Sequence, residues 1–268
     1  MPDVQPAPDR SPAQAADRAD HRTDHRVPPA VARARDVPTL LDALVEADPG
    51  RPRVTWYGTD GERVELSARV LANWVSKSAH LLVEDCDVEP GDEVHLALPQ
   101  HWRTVVLALA AWSVGADPTW PEESLSEPDD LDDLEPAPPA VLVTTPGGPV
   151  GPAGRVLAVD LAALSRAVEG GPAGALDYNA EVAGHDDVLE ADEQVQDRSV
   201  VELGDSLAGI SGLVAGDRLL GPAEDLAPDL VLGALHLDGS VVLVHPDVAA
   251  RPGALDDLAA QEQATART

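Results

Sequence analysis

An internal repeat is the feature that most constrains the fold of this chain. Residues 88–94 read VEPGDEV and residues 213–220 read LVAGDRLL, and each run leads from a turn into an apolar strand. The first run is followed by an apolar helix over 102–114, and the second by a helix over 228–237 and a strand over 240–244. Strands that alternate with helices indicate parallel sheets joined by right-handed crossovers. The sequence therefore predicts a layered α/β fold with two related strand–helix–strand units.

The segment before the first repeat predicts a helix, a hairpin and a second helix. Thr39, with Asp42 three residues later, indicates a helix start, and this helix runs to Ala47. Strands over 54–57 and 63–66 flank a Gly-Thr-Asp-Gly turn and form the hairpin. Ser67 is predicted to cap the next helix, whose apolar residues recur at helical spacing. Two further strands are expected between the repeats, over 140–144 and 155–159.

Changes in composition divide the chain into five parts. The first 36 residues are rich in Pro, Ala, Asp and Arg and lack apolar periodicity, so they are expected to be disordered. Their deletion should leave the melting temperature nearly unchanged. The predicted parts are a disordered tail (1–36), a first α/β unit (37–120), an acidic loop (121–139), a second α/β unit packed on the first (140–250) and a C-terminal helix or tail (251–268).

Charge and apolar patterning exclude several classes of partner. The 268-residue chain has a formal net charge of -30, so it repels polyanions, and neither nucleic acid nor a membrane surface is expected as a partner. Its longest apolar run, 105–116, is too short to span a bilayer, and the N-terminus has no hydrophobic signal region. A cytoplasmic location is expected. Cys86 is the single cysteine, which excludes an internal disulfide and a cysteine metal cluster.

Two stretches of the chain resemble one known family. Residues 39–120, with TWY, LANWVSKSAHLLVEDCDVEPGD and LPQHW followed by LAAWSVGADP, are similar to the start of the N-terminal domain of the acyl-adenylate-forming (AMP-dependent synthetase/ligase) superfamily. Short, uncharacterised relatives of that superfamily from GC-rich bacteria show the same elements. Residues 212–246 resemble the region that follows the phosphate loop in the full enzymes. The resemblance covers about residues 39–250 and implies the layered α/β fold of that domain.

The same comparison implies that adenylation chemistry has been lost. Full enzymes carry a Ser/Thr/Gly-rich phosphate loop that ends in lysine, whereas the corresponding interval here, 184–210, reads GHDDVLEADEQVQDRSVVELGDSLAGI. The 24 residues after Val244 leave no room for the ribose-binding motif or the domain with the catalytic lysine. Lys77, the one lysine, falls in the second helix and matches neither lysine motif. The resemblance thus implies a truncated, non-catalytic member.

The candidate ligand-binding residues follow the first strand of the repeat. Gln100, His101 and Trp102 lie between that strand and a helix start, where open α/β sheets bind ligands. Asp117 and Trp120, at the end of the first stretch of resemblance, complete the candidate set. The structural alternative is that His101 is a polar residue at a helix end and that Trp102 packs in the core.

Other polar patterns give no site. Prolines interrupt the loop over 144–151, so it lacks the consecutive amides of a phosphate cradle. The acidic run 122–135 lacks the spacing of a calcium loop, and His185 with its acidic neighbours lacks the spacing of a metal site. No G-x-S-x-G or G-x-G-x-x-G motif occurs in the expected context. We therefore predict no catalytic residue, no metal and no cofactor.

Three functions remain open on the sequence. The first is a non-catalytic binding or regulatory module that takes an acyl or other small-molecule ligand. The second is an enzyme of divergent activation or hydrolysis chemistry that reuses the acyl pocket. The third is a scaffold whose exposed faces bind a protein partner. A pocket with polar groups near His101 would favour the first two, and a flat apolar face the third.

Overall fold

The computed structural model of the protein describes residues 25–121, 137–162, 165–189 and 212–268, and within these ranges it contains two five-stranded sheets. The first, called the mixed sheet, has in spatial order β10 (Ala266–Arg267), β8 (Arg218–Pro222), β9 (Ser240–Val244), β1 (Pro52–Tyr57) and β2 (Arg63–Ser67). The second, called the parallel sheet, has in spatial order β4 (Asp117–Thr119), β3 (Glu93–Ala97), β5 (Val141–Thr144), β6 (Arg155–Ala158) and β7 (Leu176–Asp177). All strand pairs are parallel except the β1–β2 hairpin. The layered α/β prediction is confirmed.

Seven α-helices connect or cover these strands in the described part of the chain. They are α1 (Val37–Ala47), α2 (Ala68–Glu84), α3 (Trp102–Ser113), α4 (Tyr178–Glu181), α5 (Pro228–His236), α6 (Pro246–Ala249) and α7 (Ala254–Gln261). The predicted cap of α2 is confirmed, because the Val70 amide donates to the Ser67 hydroxyl at 3.3 Å. None of the helices in the described ranges combines the length and the apolar character that a membrane span requires.

The internal repeat is confirmed, and its two copies share the same turn hydrogen bond. Before β3 the Glu89 amide donates to the Asp92 carboxylate at 2.9 Å, and before β8 the Val214 amide donates to the Asp217 carboxylate at the same distance. The glycine before each aspartate has a positive φ, 92° in the first copy and 79° in the second, which a side chain would disfavour. β3–α3–β4 and β8–α5–β9 are therefore two copies of one supersecondary unit.

The sheets do not follow the predicted division of the chain at residues 121–139. β1 comes from the first predicted unit but pairs in parallel with β9, with Val54 opposite Val241. β5 comes from the second predicted unit but pairs with β3, with Val141 opposite Val94. The expectation of one unit before the acidic segment and one after it is thus wrong for strand pairing. Local periodicity identifies strands but does not say which strands become neighbours.

Helix α3 lies between the two sheets. Its residues Val105–Ala111 are completely buried, and it contacts β1 of the mixed sheet, β3 and β4 of the parallel sheet, and helices α1, α2 and α5. A helix that is apolar on all sides is stable only when it is surrounded. This explains why the 102–114 segment has no polar face. It also fixes the start of α3 at the junction of both sheets.

The C-terminal part covers the outer face of the mixed sheet. Alternate residues of β8 and β9 face opposite ways: Leu219 and Val241 belong to the main core, whereas Leu220 and Val242 pack toward α6 and α7. The Glu262 carboxylate, just after α7, accepts hydrogen bonds from three side chains of the sheet, namely Tyr57, Arg63 and Arg218. Of the predicted helix or tail over 251–268, the structure therefore shows a docked helix, followed by strand β10, which was not predicted.

The predicted disordered tail is wrong for residues 25–36. Val31 has no exposed surface, and the His25 ring lies 2.8 Å from the Asp238 carboxylate. Asp36, not Thr39, is the N-cap of α1: its carboxylate accepts from the Thr39 amide at 2.7 Å, and Thr39 returns a capping-box contact. A single buried valine and one cap give no periodic signal, which is why composition failed here. Residues 1–24 lie outside the described residues.

These contacts reverse the expected effect of deleting the N-terminal segment. A chain that starts at residue 37 should be less stable than one that starts at residue 25 by about 2 kcal/mol or more, because it loses a buried valine worth about 1.5–3 kcal/mol and a cap worth about 1 kcal/mol. Urea denaturation of the two shortened chains measures the difference. Equal unfolding free energies would contradict the packed position of Val31 and the capping role of Asp36.

Candidate functional site

A cavity of about 720 Å³ lies where strands of both sheets reach their carboxyl ends. Its walls come from the segments that directly follow β1, β3, β6, β8 and β9. The described residues that line it are Trp56, Thr59, Asp60, Glu62, Pro99, Gln100, His101, Leu161, Ala162, Ala223, Glu224, His245 and Pro246. Loops at the carboxyl edge of parallel strands are the usual ligand sites of open α/β folds. The cavity is therefore the candidate functional site.

His101 forms one wall of the cavity as the N-cap of α3. Its Nδ1 accepts a hydrogen bond from the Arg103 amide at 3.2 Å, so in the neutral ring Nε2 carries the proton. The residue is 3% exposed. Burial, reinforced by the positive charges of Arg103 and His245, lowers the pKa of His101 to about 3. At neutral pH His101 is thus an uncharged donor.

Trp56 and Glu62 form the wall contributed by the β1–β2 hairpin. The Trp56 indole nitrogen donates to Glu62 Oε2 at 3.2 Å, and the indole ring lies edge-on to the ring of His101 at 4.6 Å between centroids. A Cβ on Gly58 would lie 2.0 Å from Glu62 Oε2, so the glycine leaves room for this carboxylate. The other oxygen, Glu62 Oε1, is buried and has no hydrogen-bond partner among the residues that the structure describes.

Gln100 and His245 add two more polar groups. Gln100 Oε1 is a second buried oxygen without a hydrogen-bond partner in the described part of the protein. His245 follows β9 and caps α6 in the way that His101 caps α3, since its Nδ1 accepts from the Asp247 amide at 3.1 Å. Its ring lies 6.0 Å from that of Trp56, also edge-on. Two histidines that cap the N-termini of helices thus flank Trp56.

A buried cation lies next to the cavity. The Arg103 guanidinium is 4.5 Å from the ring centroid of Trp102 and 5.6 Å from that of Trp74, and it donates to the Ala162 carbonyl at 3.4 Å. Burial lowers the pKa of Arg103, with opposing contributions from Tyr178, Asp160 and Glu62. The two aromatic faces stabilise the desolvated charge.

The structure brings together two of the five predicted ligand-binding residues. Gln100 and His101 line the cavity, whereas Trp102 packs against Trp74 with ring centroids 5.4 Å apart, as the structural alternative expected. Asp117 pairs with Glu93 at the start of β3 and so lies at the opposite, amino end of the sheet. Trp120 follows the edge strand β4 and is also not among the described cavity residues. Whether Gln100 and His101 bind a ligand stays a prediction.

Sequence reasoning missed the other walls of the cavity although a signal was present. His245 follows the predicted strand over 240–244 just as His101 follows β3. Leu161 and Ala162 come soon after the predicted strand over 155–159. The rule that ligands bind at carboxyl ends of parallel strands applied to all of them. The strand pairing that brings these carboxyl ends together is not visible in the sequence.

Lys77 and Cys86 have structural positions. The Lys77 ammonium donates to the Ala183 and His185 carbonyls and so joins α2 to the segment after α4. Cys86 is buried just after α2, and burial together with the charge of Asp85 raises the pKa of its thiol to about 12.

The remaining polar patterns do not add a site in the described residues. His185 contacts the carboxylates of Glu84 and Asp85, at 3.2 Å and 2.9 Å. Across the described ranges no group of three or more His, Cys, Asp and Glu side chains is placed to hold a metal ion. The loop over 144–151 closes with an ordinary turn, from the Gly148 amide to the Thr145 carbonyl at 2.9 Å. Most of the predicted acidic loop and Glu190, Asp192 and Glu193 lie outside the described residues.

The fold is that of adenylate-forming enzymes. An acyl-CoA synthetase from Brucella canis matches with a TM-score of 0.62 and 16% identity, over 93% of this chain and 51% of its own. The fatty acyl-adenylate ligase of L. pneumophila, solved with acyl adenylate and pyrophosphate, matches with a TM-score of 0.57 and 8% identity, over 90% of this chain and 45% of its own. The present chain thus spans about half the length of these solved structures.

Sequence comparison identifies a much nearer relative. No protein-family model matches the chain. A TIGR03089 family protein of Mycobacterium tuberculosis (strain ATCC 25618 / H37Rv) is 32% identical over 208 residues, which are 73% of this chain and 82% of the relative. At this identity and coverage, on a fold shared with the adenylate-forming enzymes, the chain belongs to the TIGR03089 family.

Proposed function

We propose that this protein is a non-catalytic module that binds a small molecule in the cavity between the two sheets. The observation that carries the proposal is that two residues lining this cavity, Glu62 and Gln100, each have a buried side-chain oxygen without a partner among the described residues. Both oxygens, Glu62 Oε1 and Gln100 Oε1, are acceptors that need a donor. Buried polar groups are normally hydrogen-bonded, and an unpaired one costs about 1–3 kcal/mol. A ligand that pairs with them recovers this free energy on binding.

The charges around the cavity support binding without adenylation. Asp60, Glu62 and Glu224 line it, and none of its described lining residues is lysine or arginine. Acyl-adenylate formation concentrates negative charge that positioned cations and donors must stabilise. The one lysine of the sequence, Lys77, is bound to backbone carbonyls at α2, and the interval 184–210 contains no lysine. These features disfavour binding of a polyphosphate.

The cavity also helps to distinguish the proposed function from the two alternatives, a protein-binding scaffold and a divergent enzyme. A scaffold would need an exposed apolar face, whereas the feature that stands out here is a concave site with convergent polar groups. A divergent enzyme would use the same cavity, so it is the remaining alternative. The distinction between the two is whether a bound molecule is released unchanged.

Blocking the cavity tests the proposal. Ala162 is exposed and lines the cavity, so Ala162→Trp fills part of it with little effect on the core. Ala173→Trp makes the same change at an exposed position outside the cavity lining. We expect small molecules retained by the native chain, or found in a thermal-shift screen, to bind the unchanged chain and Ala173→Trp but not Ala162→Trp.

Two results would overturn the proposal. Ligands that bind Ala162→Trp as well as the unchanged chain would place the binding site elsewhere. Carboxylate-dependent pyrophosphate exchange that is lost in Ala162→Trp and kept in Ala173→Trp would show that the cavity is catalytic. We expect exchange to stay at background with short, long and aromatic acids, because the loss of even one charge-stabilising donor typically reduces such rates by about 100-fold to 1000-fold.

A further inference from the structure

We infer that the cavity takes a small organic cation, a primary amine or guanidinium on an apolar body, whose charged end pairs with Glu62. This inference rests on the proposed function and adds the class of ligand. It follows from three features: the position of the Glu62 carboxylate, the two further acidic side chains in the lining, Asp60 and Glu224, and the absence of lysine and arginine from the described lining.

One of the two oxygens of the Glu62 carboxylate accepts a hydrogen bond from the described residues, and the other does not. Trp56 Nε1 donates to Oε2 at 3.2 Å, and the missing side chain of Gly58 leaves room for that oxygen. Oε1 is buried and receives no hydrogen bond from the described part of the protein. Gln100, which also lines the cavity, has a second buried oxygen, Oε1, without a partner in the described part of the chain. Both oxygens accept only, so their partner must donate, and an ammonium or guanidinium group donates several hydrogen bonds.

The lining favours a positive charge on that donor. Asp60 and Glu224 also line the cavity, while His101 is uncharged at neutral pH because its pKa lies near 3. A cation therefore meets three acidic side chains, and the described lining contains no lysine or arginine. The partly buried position strengthens the attraction relative to bulk water. An anion would be repelled by the same acidic side chains.

The shape of the site selects an organic cation over a metal ion. In the described chain the acidic side chains here are not grouped as metal ligands. The remaining wall is formed by apolar groups, including Trp56, Leu161, Ala223 and Pro246. A cavity of about 720 Å³ has room for an apolar body beside a charged end. A compound with one aromatic ring and a terminal amine fits both requirements.

Three probes that share a phenylethyl body test the inference on the full chain. Isothermal titration calorimetry would compare 2-phenylethylamine, 2-phenylethanol and 3-phenylpropanoate, which place a cation, a neutral hydroxyl and an anion on similar bodies. We expect the amine to bind about tenfold or more tightly than the alcohol, because both donate a hydrogen bond to the Glu62 carboxylate but only the ammonium adds an attraction between opposite charges. The acid should bind weakest of the three.

Three variants test whether Glu62 causes the preference for the amine over the alcohol. Glu62→Gln should lower the affinity for the amine to that for the alcohol, whereas Glu46→Gln, an exposed change of equal charge outside the cavity lining, should leave it unchanged. Gly58→Ala keeps the charge but displaces the Glu62 carboxylate, and it should also weaken amine binding. Circular dichroism of each variant confirms that it is folded.

The outcomes distinguish a wrong ligand class from a wrong binding site. Alcohol or acid binding that equals or exceeds amine binding, and that Ala162→Trp abolishes, would overturn the cationic class and leave the cavity as a binding site. Absence of amine binding at millimolar concentration would also overturn it, whatever ligand the blocking experiment identifies. Amine binding unchanged in Glu62→Gln would remove Glu62 from the site.

Discussion

Asp238→Asn is expected to lower the free energy of unfolding by about 3–5 kcal/mol, the usual cost of removing one partner from a buried ion pair. The Asp238 and Arg53 side chains are 3% and 0% exposed and lie 2.7 Å apart. Arg51 and His25 also contact the Asp238 carboxylate, at 2.9 Å and 2.8 Å. The substitution leaves the Arg53 guanidinium buried without a counter-charge. Urea denaturation measures the change.

The chain offers a matched control for this substitution. Asp87 has the same backbone conformation as Asp238, with φ of 57° and 56°, and it pairs with Arg155 at 2.7 Å. Its side chain is 74% exposed, so Asp87→Asn should change stability by less than about 1 kcal/mol. Asparagine tolerates the left-handed conformation at both positions. Similar losses of unfolding free energy in the two variants would show that burial does not increase the contribution of the Asp238–Arg53 pair to stability.

His101 is expected to make the protein less stable as the pH falls below about 6.5. Burial lowers the pKa of the folded group to about 3, while the unfolded group keeps the usual value near 6.5. Between these values the unfolded chain binds a proton that the folded chain does not, so the unfolding free energy decreases as pH decreases. From pH 7 to pH 5 this contribution amounts to about 2 kcal/mol.

The variant His101→Asn isolates this effect. Asparagine is a good N-cap and can still accept the hydrogen bond from the Arg103 amide, but it does not titrate. Unfolding free energies of both chains measured from pH 7 to pH 5 should diverge, with the unchanged chain losing about 2 kcal/mol more than the variant. Other titrating groups cancel in the difference. Parallel profiles would show that the His101 ring is accessible to protons in the folded protein.

The sequence by itself determined the elements of this protein and their repeat. The turns before Asp92 and Asp217, the cap at Ser67 and the buried strands over 93–97 and 240–244 were all visible, because each depends on residues close in sequence. Local hydrogen bonds and apolar periodicity suffice for such features. The position of His101 at a strand end was visible for the same reason.

Only the tertiary structure decided how these elements are combined. The pairing of β1 with β9 makes the hairpin part of the mixed sheet and carries Trp56 and Glu62 to the cavity. That pairing joins strands nearly 190 residues apart, as in the opposition of Val54 and Val241. Strand neighbours at such separation are selected by burial and by complementary packing across the sheet, which no local pattern records. For this reason the sequence identified Gln100 and His101, while the residues that make them part of a cavity came from the fold.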